Sequence, residues 1–408
     1  MLLPYASDRP PRNPPLTVVT LVLLHFAVFG VIALNIATRG PERAVIWYAN
    51  LSLVPGSIKW WSPLTYSLLH NSVFHLSSNM LFLWVFGGSL EDVIGRRRFI
   101  ALYAGAAILT GLLQCTMALL AGGLARSTPI IGASGAIAAL VGAFAVRFYR
   151  SRIRFIGLPV RIPAVLLVLI VLLGEMTVAV WQLTHPTPAV QGQAAAHWAH
   201  VGGFLIGMLW AQSTRMLRAG RHEYLAADAA VEMERGSPLK AVHRWEAVLH
   251  EQPDNLHAEA ELARAWAMVG ERDQSAKHYA AAITGMVRLG ERGGAASRYL
   301  EAKGESIEVL LPPAELLAVF SSLEETGEFE ASRTALEALI AAHPEASECE
   351  TARLRLAALL LKWLNLPTKA AEVINEFLTD YPESSWRAYA EEMLRTAAAA
   401  VDEPPHQV

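Results

Sequence analysis

Long apolar stretches separated by short polar ones occupy the first half of the chain, and charged residues return at helical spacing in the second half. A helix needs about 20 apolar residues to cross a bilayer. The first apolar segment is longer than a signal-peptide core and lacks a small-residue cleavage site after it, so we interpret it as a retained helix. The pattern predicts six transmembrane helices, near residues 16–37, 71–88, 99–121, 132–149, 162–182 and 197–214.

Residues 222–400 repeat a different pattern, that of paired amphipathic helices. Three stretches end a helical pattern in x-Pro, namely EAVLHEQPDN (246–255), LEALIAAHPEAS (336–347) and INEFLTDYPESS (374–385). Helix pairs joined by a glycine turn and closed by a proline resemble tetratricopeptide repeats. The spacing from Pro344 to Pro382 exceeds the 34-residue period of that family, so the resemblance is to a degenerate repeat.

The two patterns together predict an all-α protein, a polytopic membrane bundle of six transmembrane helices followed by a soluble α-helical repeat domain. We predict a cytoplasmic N-terminal tail (1–15) and a membrane domain (16–215). A linker (216–237), the repeat domain (238–400) and a disordered tail (401–408) follow.

Charge divides the chain in the same place. Residues 1–222 hold seventeen basic residues and five acidic ones, whereas the remainder is acidic overall. Arginines form three clusters. Residues 96–98 lie between segments two and three, residues 147–161 lie between segments four and five, and residues 215–221 follow segment six. Cytoplasmic loops carry an excess of Arg and Lys. Both termini are therefore predicted to be cytoplasmic, and the opposite side holds the connections 38–70, 122–131 and 184–193.

Composition excludes several classes of site. Two cysteines cannot form a disulfide framework, and basic runs with interleaved aromatic residues, typical of nucleic-acid binding, are absent. The sequence has no H-E-x-x-H motif, and His75, His197 and His200 lack a carboxylate at ligand spacing along the chain. We therefore predict no metal, no cofactor and no nucleic-acid partner. Paired intramembrane aspartates are also missing, which argues against aspartyl chemistry.

A serine between two glycines, Gly132-Ala133-Ser134-Gly135, opens the fourth apolar segment. Small residues at this place commonly serve helix packing in membranes, and for this motif alone packing is the simpler explanation. A serine hydroxyl is a weak nucleophile at neutral pH and needs a neighbouring base to react.

His200 is a candidate base. It lies at the non-cytoplasmic end of segment six, and Ser134 lies at the same end of segment four. Gly203 and Gly207 form a small-xxx-small ridge that lets a neighbouring helix come close. If segments four and six pack through their glycines, the imidazole can reach the hydroxyl. The simpler alternative is a histidine satisfied by backbone groups.

Segment two carries polar side chains at the same depth. His75 and Asn79 are four residues apart and share one helix face. Two donors on one face suit an oxyanion hole, although interhelical hydrogen bonding would also explain them. His70 lies farther out and is interpreted as structural. Glu175, in segment five, is assigned no role.

These three motifs together resemble the rhomboid family of intramembrane serine proteases, over roughly residues 16–215. HNSVFHLSSNMLFLWVFGGSLEDVIG resembles the family's second-helix H-x-x-x-N stretch, GASG its G-x-S-G motif, and AHVGGFLIG its A-H-x-x-G-x-x-x-G motif. The resemblance implies a nucleophile, Ser134, and a general base, His200, that form a dyad without an aspartate. It also implies oxyanion stabilisation by His75 and Asn79 and cleavage of transmembrane segments that enter from lipid near helix five.

Two positions depart from the family pattern. Some members have a tyrosine one turn after the serine, where this chain has Ala138, and many have Trp-Arg where this chain has Trp61-Ser62. These departures concern the support of the histidine and the packing of the first loop.

The expected partners are single-span or polytopic membrane-protein substrates, the lipid bilayer and a protein bound by the C-terminal repeats. We predict a multi-pass protein of a bacterial inner membrane. The alternatives are a rhomboid-like pseudoprotease that binds transmembrane clients without cutting them, a channel or transporter, and a membrane anchor for the repeat domain. A transporter would show inverted repeats, which the sequence lacks. An anchor would not need six helices.

Overall fold

The computed structural model describes residues 3–185 and 196–402. The chain forms two compact units, Met1–Arg221 and His222–Val408. Most of the predicted connection 184–193 and most of the predicted tail 401–408 lie outside the described residues.

The first unit is a helical bundle with one small sheet. Its helices, in chain order, are α1 (Leu16–Arg39), α2 (Glu42–Leu51), α3 (Ser62–Thr65), α4 (Val73–Phe82), α5 (Gly88–Ile94), α6 (Arg96–Ala121), α7 (Ser134–Arg147), α8 (Ala164–Thr184) and α9 (His197–Ser213). Short 3-10 turns follow α3 and α6, at Tyr66–Leu68 and Gly123–Arg126. The strands are β1 (Pro4–Ser7), β2 (Arg152–Phe155) and β3 (Leu158–Pro163).

Among the described residues, four helices are long and apolar enough to cross a membrane, namely Leu16–Arg39, Val73–Ile94, Arg96–Ala121 and Ala164–Thr184. The predicted segments four and six are also helices, but α7 has 14 residues and α9 has 17. A 14-residue helix is about 21 Å long, and the hydrocarbon core of a bilayer is about 30 Å thick. The start of α7 is therefore below the membrane surface if its basic end, at Arg147, lies at the interface.

The second span is not a regular α-helix. A π-helical turn, Leu83–Gly87, separates α4 from α5. At the start of α4, the Ser72 hydroxyl accepts a hydrogen bond from the His75 backbone N–H at 3.1 Å. This cap fixes the beginning of the helix that carries His75 and Asn79.

Helices α7 and α9 approach each other through glycine. A Cβ on Gly203 would lie 2.8 Å from the Cβ of Ala138 and would overlap the Gly135 carbonyl. A Cβ on Gly207 would overlap the carbonyl group of Ala139. The ridge predicted from the sequence is therefore a surface where two backbones touch.

Two acidic residues at the end of the second span hold the start of α1. Glu91 is buried and accepts hydrogen bonds from the backbone N–H groups of Thr17 and Val18, both at 2.9 Å. Asp92 accepts from the backbone N–H of Arg12 at 3.0 Å. Carboxylates stabilise the positive end of a helix dipole, so these contacts join the N-terminal end of α1 to the C-terminal end of α5.

The antiparallel sheet β1-β2-β3 was not predicted from the sequence. It pairs the N-terminal tail with the arginine-rich connection between α7 and α8, with Ile153 opposite Ile162. Ile153 and Phe155 are buried between exposed or half-buried arginines, which is the two-residue alternation of a strand. Because the flanking arginines are typical of a positively charged loop, the strand alternation was not recognised in the sequence.

The second unit is a succession of helices in which each packs on the next. The helices are α10 (Met216–Glu234), α11 (Pro238–Glu251), α12 (Leu256–Val269), α13 (Arg272–Arg288), α14 (Arg292–Gly304), α15 (Pro313–Glu325), α16 (Phe329–Ala342), α17 (Glu348–Lys362), α18 (Pro367–Asp380) and α19 (Arg387–Asp402). The turns use left-handed residues, with φ of +93° at Gly270 and +81° at Gly327. The helical repeat organisation predicted from the sequence is thus present.

The predicted linker, residues 216–237, is largely helical, and the division between the two units falls within α10. Met216 is buried in the core of the first unit, and Ala229 is buried in that of the second. The helical spacing predicted from residue 222 onward therefore begins inside the predicted linker.

We predict that Gly207→Ala destabilises the membrane unit by about 1–3 kcal/mol, because the new methyl group overlaps the backbone of α7. The matched control is Gly174→Ala on α8, where an added Cβ has no atom within 4 Å. Reversible unfolding in mixed detergent micelles measures both variants. Equal stability of the two variants would contradict the close packing of α7 on α9.

Candidate active site

Ser134 is the first residue of α7. The turn before it depends on Gly132, whose φ of +109° is in the region that favours glycine. The Gly132 backbone N–H donates to the Tyr66 carbonyl at 3.0 Å. Ser134 is half-buried, whereas the residues that follow it in α7 are buried up to Ala145. The serine side chain is therefore the accessible part of an otherwise enclosed helix.

His200 meets Ser134 across the helix interface. The two atoms His200 Nε2 and Ser134 Oγ are 2.7 Å apart. His200 is in the first turn of α9, with its backbone N–H bound to the Ala196 carbonyl at 3.1 Å. The structure thus brings together the two residues that the sequence pairs by depth, by the glycine ridge and by resemblance to the rhomboid motifs.

Glu175 of α8 contacts the other side of the same imidazole, which the sequence analysis missed. Its Oε1 is 3.1 Å from His200 Nδ1, and its Oε2 is 2.6 Å from His197 Nδ1. All three side chains are about one-fifth exposed. The sequence did contain a signal for this contact. Glu175 is the single acidic residue between Asp92 and the end of α9. Acidic residues within spans usually have a partner or a function.

The carboxylate defines where the imidazole carries its hydrogen. An ionised carboxylate can only accept hydrogen bonds, so the Nδ1 of His200 must be the donor to Glu175. In a neutral imidazole the other nitrogen, Nε2, then has the lone pair. The Ser134 hydroxyl therefore donates to His200 Nε2, which is the direction required for a general base.

His75 and Asn79 border the same turn. A Cβ built on Gly132 would lie 3.0 Å from His75 Nε2 and 3.9 Å from Asn79 Nδ2. Both side chains therefore lie next to Gly132, which is two positions before Ser134. Any side chain at position 132 would fill the space between them.

Asn79 has a hydrogen to donate at this place, whereas the neutral His75 ring does not. Its Nδ2 is 3.0 Å from His70 Nε2, and one of its two amide hydrogens is thereby used. The second hydrogen remains for a substrate oxygen. His75 Nδ1 is 3.0 Å from Asn71 Oδ1, so that the neutral ring donates to Asn71 and has its lone pair on Nε2.

His70 has the structural role that the sequence suggested. It is buried, and its ring packs edge-on against His75, with centroids 4.9 Å apart. It holds the Asn79 amide in place by accepting its hydrogen bond.

Glu175, His197 and His200 are also the residues that could hold a metal ion, since their ligand atoms lie within 4.8 Å of one another. The sequence analysis had found no carboxylate partner for these histidines along the chain, and the fold supplies one from another helix. Ligands of a tetrahedral zinc ion lie about 3.3 Å apart. The His197–Glu175 separation of 2.6 Å is that of a direct hydrogen bond.

The two departures from the family pattern have local explanations. Ala138 is buried against Gly203, so that this position closes the α7–α9 interface. Ser62 is buried and donates to the Lys59 carbonyl at 2.8 Å, and the Trp61 ring nitrogen donates to the Asn50 carbonyl at 2.9 Å. The first loop is therefore held by its own hydrogen bonds.

Comparison with known proteins places a domain of this chain beside known rhomboid sequences. Residues 57–216 match the Rhomboid domain. The presenilin-associated rhomboid-like protein of mouse mitochondria is 32% identical over 140 residues, which cover 33% of this chain and 36% of that protein. Mitochondrial rhomboid protein 1 of Saccharomyces cerevisiae is 30% identical over 43% of this chain and 44% of its own length. The chain therefore spans less than half the length of these relatives.

The rhomboid protease GluP of Bacillus subtilis is 29% identical over 30% of this chain and 22% of its own length. Among solved structures, TPR-like repeats of a kinesin light chain from Podosopora anserina cover 44% of this chain and 86% of their own, at 15% identity. The TM-score of that likeness is 0.22, too low to support an argument about the fold.

We predict that a fluorophosphonate probe labels the wild-type protein and that Ser134→Ala abolishes labelling, because the probe requires an activated serine. Ser213→Ala, an exposed serine on α9, should be labelled like the wild type. Gel fluorescence and peptide mass spectrometry measure the modified residue. Labelling that persists in Ser134→Ala would contradict the assignment of the nucleophile.

Proposed function

We propose that this chain, whose residues 57–216 form a rhomboid domain, is an intramembrane serine endopeptidase that cleaves transmembrane segments of other membrane proteins. The observation that carries the proposal is the 2.7 Å separation between Ser134 Oγ and His200 Nε2. A nucleophile within hydrogen-bond reach of a base is the first geometric requirement for acyl transfer.

The reaction has two halves. Ser134 Oγ attacks the peptide carbonyl carbon while its proton moves to His200 Nε2, which gives a tetrahedral oxyanion and an imidazolium. His200 then gives this proton to the leaving amine, the C–N bond breaks, and an acyl-serine remains. Water attacks the ester, again with His200 as base, and the serine is restored as the carboxyl product leaves.

Asn79 and the Ser134 backbone N–H are the proposed donors to the oxyanion. The backbone N–H groups of the first helical turn have no partner within their own helix, and the Ser134 N–H is among them. Asn79 keeps one amide hydrogen in the same region. His75 lines this pocket and would donate from Nε2 when its ring is protonated or its hydrogen is moved from Nδ1.

Water and substrate would reach the site by different routes. We propose that water reaches Ser134, which is half-buried at the start of α7, from the side proposed to be non-cytoplasmic. Helix α8 is mostly exposed along its length, as expected of a helix that faces lipid. We propose that a substrate helix enters past α8.

The orientation with both termini in the cytoplasm is proposed from the arginine clusters. The helical repeats would then bind a cytoplasmic protein partner. The bacterial inner membrane remains a prediction, since the relatives described above include two mitochondrial proteins and one from Bacillus subtilis.

The central test is cleavage of a single-span substrate in proteoliposomes. We predict that the wild type cuts the substrate and that Ser134→Ala and His200→Ala reduce the rate to background, because each removes one partner of proton transfer. A wild type that binds the substrate but cuts it no faster than these variants would instead support the pseudoprotease alternative.

The oxyanion donor is tested separately. Asn79→Ala should lower kcat by about 10²- to 10³-fold with little change in KM, because the lost hydrogen bond strengthens only as charge develops. Ser77→Ala, an exposed position on the same helix, is the control. Steady-state kinetics in the same proteoliposomes gives both constants. An unchanged kcat for Asn79→Ala would remove this residue from the mechanism.

A further inference from the structure

We propose that Glu175 is a positioning residue that completes a Ser134–His200–Glu175 triad, with His197 holding its carboxylate in place. This inference rests on the proposed function, since it assigns a role within the same site. Its basis is that one imidazole has hydrogen-bond partners on both nitrogens, supplied by two other helices.

The contacts of Glu175 account for both of its oxygens. Oε1 faces His200 Nδ1 at 3.1 Å, and Oε2 faces His197 Nδ1 at 2.6 Å. A carboxylate within a membrane span is costly unless it is paired and hydrogen-bonded. Here both of its histidine partners come from the first turn of α9, so the cost is offset by two charge-assisted hydrogen bonds.

Glu175 can act on His200 in two ways. Because it accepts from Nδ1, it selects the tautomer in which Nε2 can take the Ser134 proton. When that proton arrives, the ring becomes a cation, and the adjacent carboxylate stabilises this positive charge. The carboxylate itself gains no proton in this scheme, and it remains an acceptor throughout.

His197 is the residue that orients the carboxylate. It precedes His200 by three positions, which places both rings on one face of α9. With Oε2 bound to His197, the carboxylate cannot rotate away without breaking a hydrogen bond. Oε1 is thereby directed to His200.

The surroundings of His200 give Glu175 a distinct part in orienting the ring. The residue one turn after Ser134 is Ala138, whose methyl group can pack but cannot form a hydrogen bond. Among the described residues, the imidazole contacts the Ser134 hydroxyl through Nε2 and Glu175 through Nδ1. The contact from α8 therefore adds a second point of attachment to the one that α7 supplies.

The experiment compares Glu175→Gln with the wild type in proteoliposomes, using a single-span substrate and, separately, the rate of fluorophosphonate labelling. The amide has the same shape but no charge. We expect kcat to fall by about 10- to 1000-fold with KM within about twofold, because a neutral partner does not stabilise the imidazolium. The labelling rate should fall in parallel, since it depends on the same base.

Two further variants complete the design. Thr177→Val, on an exposed position of the same helix, should retain wild-type kinetics. His197→Ala should lower kcat by about 3- to 30-fold, less than Glu175→Gln does, because the carboxylate is kept but no longer oriented. Unfolding midpoints confirm that each variant is folded. If Glu175→Gln does not fold, His197→Ala carries the test.

The outcomes separate this inference from the proposed function. Suppose that the wild type cleaves the substrate and that cleavage requires Ser134. A kcat of Glu175→Gln within twofold of the wild type would then overturn the role of Glu175 and leave the protease proposal intact. If Glu175→Gln is unfolded, the same criterion applies to His197→Ala. Equal losses in Glu175→Gln and Thr177→Val would also overturn it, because the effect would then come from α8 in general. Failure of the wild type to cleave would count against the protease, and the labelling rates would still report on Glu175.

Discussion

The close approach of α7 and α9 is the constraint on which the site depends. Glycines at 203 and 207 allow the two backbones to touch, and a Cβ at either place would overlap the facing helix. Because Ser134 and His200 each lie in the first turn of their helix, this contact brings their side chains to 2.7 Å. The packing and the chemical explanations of the glycine-serine motif are therefore not alternatives, since the second requires the first.

Helix length sets the environment of this contact. A 14-residue α7 spans about 21 Å, less than the hydrocarbon thickness, so its first residue is below the membrane surface if Arg147, at its other end, lies at the interface. Polar groups from the second span gather there as well. Asn79 is held by His70, and Glu175, on the other side of the His200 ring, is held by His197.

Helical periodicity was sufficient to predict the helical bundle and the helical repeat organisation, and depth together with the glycine ridge paired Ser134 with His200, whose side-chain atoms lie 2.7 Å apart. They could not predict contacts made by a lone residue, because Glu175 has no partner within its own helix and meets its histidines only after α8 packs on α9. The β2 strand was missed for a different reason. Its alternating Ile153 and Phe155 are flanked by arginines, which indicated a charged loop.

The most direct test of the account is the tautomer of His200 in the resting protein, since it is fixed by Glu175 and determines whether Nε2 can accept the Ser134 proton. Solid-state ¹⁵N NMR of histidine-labelled protein in lipid, with His200→Ala as the difference spectrum, reads the two ring nitrogens separately. We predict a protonated Nδ1 and an unprotonated Nε2 in the wild type. A resting His200 that carries its hydrogen on Nε2 would contradict the account.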